Sequence, residues 1–138
     1  MSERDDLLAL LGQAMENGEF EMFFQPEYSA ADGRPIGVES LIRWRHPQRG
    51  LVPPAVFLAI CEDSGLILPI GRWVFAEACK THGRLAQAGW SDVSVSVNIS
   101  ASQFRDPSLA DSLREVLSQN SLPAGALVWL AKKEYAKR

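Results

Sequence analysis

The segment from Val93 to Ser100 alternates without a break, Val93, Val95, Val97 and Ile99 against Ser94, Ser96, Asn98 and Ser100. A period of two sends successive side chains to opposite faces, so this stretch is a β-strand and not a helix with one apolar stripe. Helical patterns lie on both sides of it. A long helix is expected from about Gly71 to Ala88, with Gly89 at its end. Beyond the strand, Asp106-Pro107 opens a second helix through Leu109, Leu113, Val116 and Leu117.

The rest of the chain extends this alternation of elements. Ser2 and Asp5 form a capping-box pattern ahead of Leu7, Leu8, Leu11, Ala14 and Met15, and Asn17-Gly18 ends this short amphipathic helix over residues 1–18. Residues 20–28 read as a strand, Asp32-Gly33 as a tight turn, and about Ile36 to Trp44 as a second strand. Pro53-Pro54 starts a helix through Val56, Phe57, Ile60 and Cys61 that closes near Gly65, and Leu127 to Leu130 reads as one further strand. Strands alternating with helices define an α/β fold in which helices cover a sheet.

Composition removes several function classes. With 14 basic and 17 acidic residues the net charge is −3, which does not make a surface for a nucleic acid polymer. Cys61 and Cys79 are the only cysteines, outside any CxxC or Cys/His spacing, and read as reduced, buried thiols of a cytoplasmic protein. No run of about 18 apolar residues marks a membrane span, and the acidic start has no basic n-region. His46 and His82 lack a partner at ligand spacing and read as surface or core residues. Trp73, Trp90 and the phenylalanines follow packing positions and are expected in the core.

The second strand divides its chemistry by face. Glu39, Leu41 and Arg43 share one side, and Val38, Ser40, Ile42 and Trp44 the other. Asn98 lies near the end of the alternating strand and Gln25 near the end of the first, so four polar groups gather if these strands are neighbours. Sites in α/β sheets collect at the C-terminal ends of strands, and the placement points to a pocket. Glu39 is an oxygen ligand for Mg²⁺ or Mn²⁺, with Asn98 adding a carbonyl, or else the ion-pair partner of Arg43. Arg43 is a bidentate phosphate ligand or an ordinary surface arginine, and Asn98 and Gln25 have strand-end hydrogen bonding as their other role.

Phe24-Gln25-Pro26, the run from Val38 to Pro47, Phe57 to Leu66, Gly71 to Val74 and Val97-Asn98-Ile99-Ser100 occur here in the order seen in EAL domains. The chain resembles the first half of these bacterial phosphodiesterases, which linearise cyclic di-GMP, over about residues 20–128. The signature Glu-Ala-Leu reads Glu39-Ser40-Leu41, a change on the face opposite the ligand-facing residues. The resemblance implies a TIM-type (β/α) barrel with its site at the C-terminal mouth. It implies Glu39 and Asn98 as ligands of Mg²⁺ or Mn²⁺, and Gln25, Leu41 and Arg43 as residues lining the cyclic di-GMP site.

The resemblance also implies ligands beyond Leu127, in a Glu-Ile-Thr-Glu strand, a paired-Asp motif, a Lys, a Glu and a Gln. Here Val128-Trp129-Leu130-Ala131-Lys132-Lys133 follows, and residues 131–138 form a divergent basic tail after a truncated EAL-like domain over 19–130. Two-metal hydrolysis needs several carboxylates around cations about 3.5–4 Å apart, more than Glu39 and Asn98 supply. About half of a barrel is thus expected, closed by self-association or another protein chain. Function is expected as nucleotide or protein binding without stand-alone catalysis. A phosphodiesterase completed by a second chain and a remnant without function are the alternatives.

Overall fold

The computed structural model describes residues 2–122 and 131–134. The chain runs α1 (Glu3–Ala14), β1 (Phe20–Tyr28), β2 (Pro35–His46), β3 (Gly50–Val52), α2 (Pro54–Ser64), α3 (Ile67–Gln87), β4 (Ser94–Ile99), α4 (Ala101–Arg105), α5 (Leu109–Gln119) and β5 (Ala131–Glu134). This is the expected alternation of strands and helices. Two short elements escaped the sequence reading: β3, only three residues long, and α4, which starts directly after β4. α3 begins at Ile67, ahead of the expected Gly71. The expected strand over 127–130 lies outside the described residues.

The sheet has the order β1-β2-β4-β5, with β3 also paired to β2. β1 lies antiparallel to β2, while β2 and β4 are parallel and joined by the crossover through α2 and α3. β4 and β5 are parallel as well, with Val97 opposite Ala131 and Ile99 opposite Glu134.

β2 is the strand on which the core is built. Its even residues Ser40, Ile42 and Trp44 are buried, as the alternation predicts. Trp44 packs edge-on to Phe57 at 5.7 Å and against Phe20 at 6.4 Å. Its indole N–H donates to Glu19 Oε1 at 2.9 Å, so the one polar atom of a fully buried ring is satisfied. Phe57, Ile60 and Cys61 of α2, Val74, Phe75 and Ala78 of α3, and Leu113 and Leu117 of α5 complete the cluster. α1 joins it through Leu7, Leu11 and Ala14, at i, i+4 and i+7, while Leu8 and Met15 face outwards. His46 serves the turn after β2, its Nδ1 accepting from the backbone N–H of Gln48 at 3.2 Å.

Burial corrects the expectation that the tryptophans and phenylalanines all lie in the core. Trp90 is 42% exposed because it sits in the turn after α3, and Phe23 and Phe104 are likewise exposed. Val56 is exposed on α2, whose buried side is the one carrying Phe57, Ile60 and Cys61. In β4 both faces are buried. Ser94 and Ser96 turn their hydroxyls onto the neighbouring strand, donating to the carbonyls of Ile36 at 3.4 Å and Val38 at 3.3 Å. The serines thus bind strand to strand, and the alternation marks two interiors.

Between α3 and α4 the backbone approach is set by a glycine. A Cβ on Gly71 would overlap the side-chain amide of Gln103. That amide is engaged: Gln103 Oε1 accepts from Ser100 N–H at 2.9 Å, while Ser100 Oγ accepts from Gln103 N–H at 3.2 Å. Gly71→Ala is therefore expected to displace Gln103 and destabilise the protein by about 1–3 kcal/mol in urea unfolding. A change within experimental error would show that the capping box yields without cost.

Cys61 and Cys79 are free and buried. Burial, with a smaller contribution from the Glu62 charge, pushes the Cys61 thiol up to about 12, and burial pushes that of Cys79 up to about 11. Both stay protonated in the folded state while the unfolded thiols ionise near their ordinary value of 9.0, so they support stability below that pH and lose it as pH rises towards 12. Urea midpoints are expected to fall between pH 8 and 10.5, with a shallower fall in the double variant Cys61→Ala/Cys79→Ala. Equal slopes would rule the thiols out as the cause.

Candidate functional site

Register brings the predicted residues together. In the antiparallel pair β1–β2, Gln25 stands opposite Glu39, Phe23 opposite Leu41 and Glu21 opposite Arg43. In the parallel pair β2–β4, Glu39 stands opposite Ser96, one step along the same face from Asn98. Asn98 is 3% exposed, and its Nδ2 donates to Glu39 Oε2 at 3.1 Å. Gln25, Glu39, Leu41, Arg43 and Asn98 all line one cavity of about 530 Å³.

The route to this gathering differs from the one expected. Because β1 runs against β2 and β4, Gln25 is not at a shared C-terminal edge. It reaches the cavity by lying directly across from Glu39.

Arg43 has partners of its own. Its Nη1 donates to the carbonyl of Ile42 at 3.1 Å, and its guanidinium carbon lies 5.4 Å from the centre of the exposed Phe23 ring. The guanidinium therefore rests on an aromatic face at the cavity rim, an arrangement that suits an anion acceptor.

The opposite wall went unread in the sequence. Ala55, Leu58, Ala59 and Glu62 of α2 line the cavity together with Pro54 and Ile67. Their spacing of i, i+3, i+4 and i+7 is a second stripe on the helix, beside the core stripe of Phe57, Ile60 and Cys61. That stripe was visible in the sequence, but alanines carry a weak hydrophobic signal and the phenylalanine face masked it. Glu62 Oε2 is buried with no hydrogen-bond partner among the described residues.

These donors fit a single hard cation, held by the Glu39 carboxylate with the Asn98 amide beside it. Glu62 is on the far wall, and among the described residues no three His, Cys, Asp or Glu side chains converge as a metal site. One carboxylate and one amide are fewer protein ligands than a pair of cations requires.

The apolar wall of α2, the polar face of the sheet and a cation resting on an aromatic ring give this one space apolar, polar and cationic surfaces. Comparison with known proteins agrees on one family. MucR of Pseudomonas aeruginosa, a bifunctional diguanylate cyclase/cyclic di-GMP phosphodiesterase, is 40% identical over 136 residues, covering 99% of this chain and 20% of MucR. The cyclic di-GMP phosphodiesterase NbdA of the same organism is 38% identical over 114 residues, 83% of this chain and 15% of NbdA. The solved MucR phosphodiesterase in complex with c-di-GMP superimposes with a TM-score of 0.81 at 44% identity, over 85% of this chain and 47% of that one. This chain thus spans a fraction of the length of its relatives. The EAL domain family matches residues 9–134, from within α1 through β5. With this match laid over a cavity edged by Glu39, Arg43 and Asn98, the chain belongs to the EAL domain family, whose fold is of the TIM-barrel type.

Proposed function

We propose that this chain recognises cyclic di-GMP through the cavity between β1, β2, β4 and α2, and does not hydrolyse it unaided. The observation that carries this reading is the convergence of Gln25, Glu39, Leu41, Arg43 and Asn98 on one space of about 530 Å³, a size suited to a small organic ligand. Arg43 would grip a phosphodiester with two N–H groups, and the Gln25 amide would donate from the neighbouring strand. Leu41 and the Leu58 wall would take a guanine face. Glu39 and Asn98 would hold Mg²⁺ or Mn²⁺, which when bound would polarise a phosphoryl oxygen. Attack by water needs further carboxylates to hold a second cation and accept a proton, and among the described residues no three His, Cys, Asp or Glu side chains converge to supply them.

The likeness to MucR and NbdA supports a second reading, in which another chain completes the carboxylate set and the assembly is a phosphodiesterase. Under either reading a second copy or another protein would pair with β1, which among the described residues lies at one edge of the sheet. Cytoplasmic placement fits the two free thiols, and among the described residues no helix is long and apolar enough to cross a membrane.

Calorimetric titration with cyclic di-GMP in Ca²⁺ tests the proposal, with chromatography of the nucleotide in Mg²⁺ alongside. Saturable binding is expected, weakened roughly tenfold or more by Glu39→Ala and by Arg43→Ala, the worth of a charged hydrogen bond. No linear product is expected. Turnover that Glu39→Ala abolishes would overturn the non-catalytic reading, and absence of heat from a folded sample would overturn nucleotide recognition itself.

A further inference from the structure

Glu21 stands directly opposite Arg43 across the β1–β2 ladder, on the same face of the sheet. Opposed side chains in such a pair start about 4.5–5.5 Å apart at Cβ, so a carboxylate there is the natural partner for the guanidinium. The structure pairs them otherwise. Glu21 Oε1 accepts from Arg45 Nε, the next residue of β2 on that face, while Arg43 turns to the Ile42 carbonyl and the Phe23 ring. Two cations thus compete for one carboxylate, and the one at the cavity loses it.

We infer that Arg45 is a positioning residue: by holding Glu21 it keeps the Arg43 charge available to an anionic ligand, with Phe23 as the platform that receives the guanidinium. This inference rests on the proposed recognition of cyclic di-GMP and names how that site keeps its cation. Arg43 lines the cavity and Arg45 does not, so Arg45 acts through Glu21. Without Arg45, the cation directly across the ladder from the Glu21 carboxylate is Arg43, and a ligand phosphate would then have to displace an internal anion. The Arg45 and Glu21 side chains are 53% and 38% exposed, so their replacement leaves the core packing intact.

The test is calorimetric titration of the full chain with cyclic di-GMP in Ca²⁺ at low ionic strength. Arg45→Ala is expected to raise Kd about two- to fivefold, the worth of an exposed ion pair. Adding Glu21→Gln should restore Kd to the unmodified value, because Arg43 then has no competing carboxylate. Adding Glu3→Gln removes an equal charge from α1 and should restore nothing, which separates local pairing from the general field. Loss of affinity that Glu21→Gln fails to restore, or that Glu3→Gln restores equally, overturns the inference, as does an Arg45→Ala variant that binds like the unmodified protein. Failure of the unmodified protein to bind is a different result, since it removes the recognition of cyclic di-GMP on which the inference stands.

Discussion

The pleat of β2 is the constraint from which the rest of the structure follows. Its even residues carry the core, with Trp44 locked by Phe20, Phe57 and the Glu19 carboxylate. Its odd residues Glu39, Leu41 and Arg43 face the cavity. A slip of one residue against β1 would put Trp44 into the cavity and Arg43 into the core, exchanging both sets at once. The free energy that buries the tryptophan therefore also fixes the register of the cavity wall. Stability and site geometry rest on the same ladder.

Both neighbours of β2 use that register in opposite senses. β1 approaches antiparallel and delivers Gln25, Phe23 and Glu21 by direct opposition. β4 approaches parallel and delivers Asn98 one step beyond Ser96. An antiparallel strand beside a parallel pair lets short sequence distances (Gln25 to Glu39) and long ones (Glu39 to Asn98) meet at the same place. The βαβ crossover between β2 and β4 also lays α2 along the cavity, so the connection that closes the topology becomes a wall of the site.

Much of this was legible from periodicity. The strict alternation of Val93 to Ser100 located β4, and the two-residue period of β2 separated Glu39, Leu41 and Arg43 from Trp44 before any contact was known. What periodicity does not encode is what covers each face. Ser94 and Ser96 resemble a solvent face in sequence but bond to β2 carbonyls, and Phe23 resembles a core residue but supports Arg43 at the rim. Strand direction was equally hidden, because an alternating strand has the same pattern whichever way its neighbour runs. β3 and α4 are too short to build a periodic signal: β3 is defined by its ladder to β2, and α4 by its own capping box between Ser100 and Gln103.

The Ser100–Gln103 box, pressed against Gly71, also bears on motion around the site. Asn98 sits two residues before a helix start whose reciprocal hydrogen bonds are buried and whose contact with α3 leaves no space for a methyl group. A segment tied in this way is expected to exchange its amide protons through the opening of a larger unit and not by local fraying. The end of β4 is thus a fixed post. Adjustment to an incoming ligand falls to the outward side chains of β1 and to α2, whose cavity stripe of Ala55, Leu58, Ala59 and Glu62 meets solvent along much of its length.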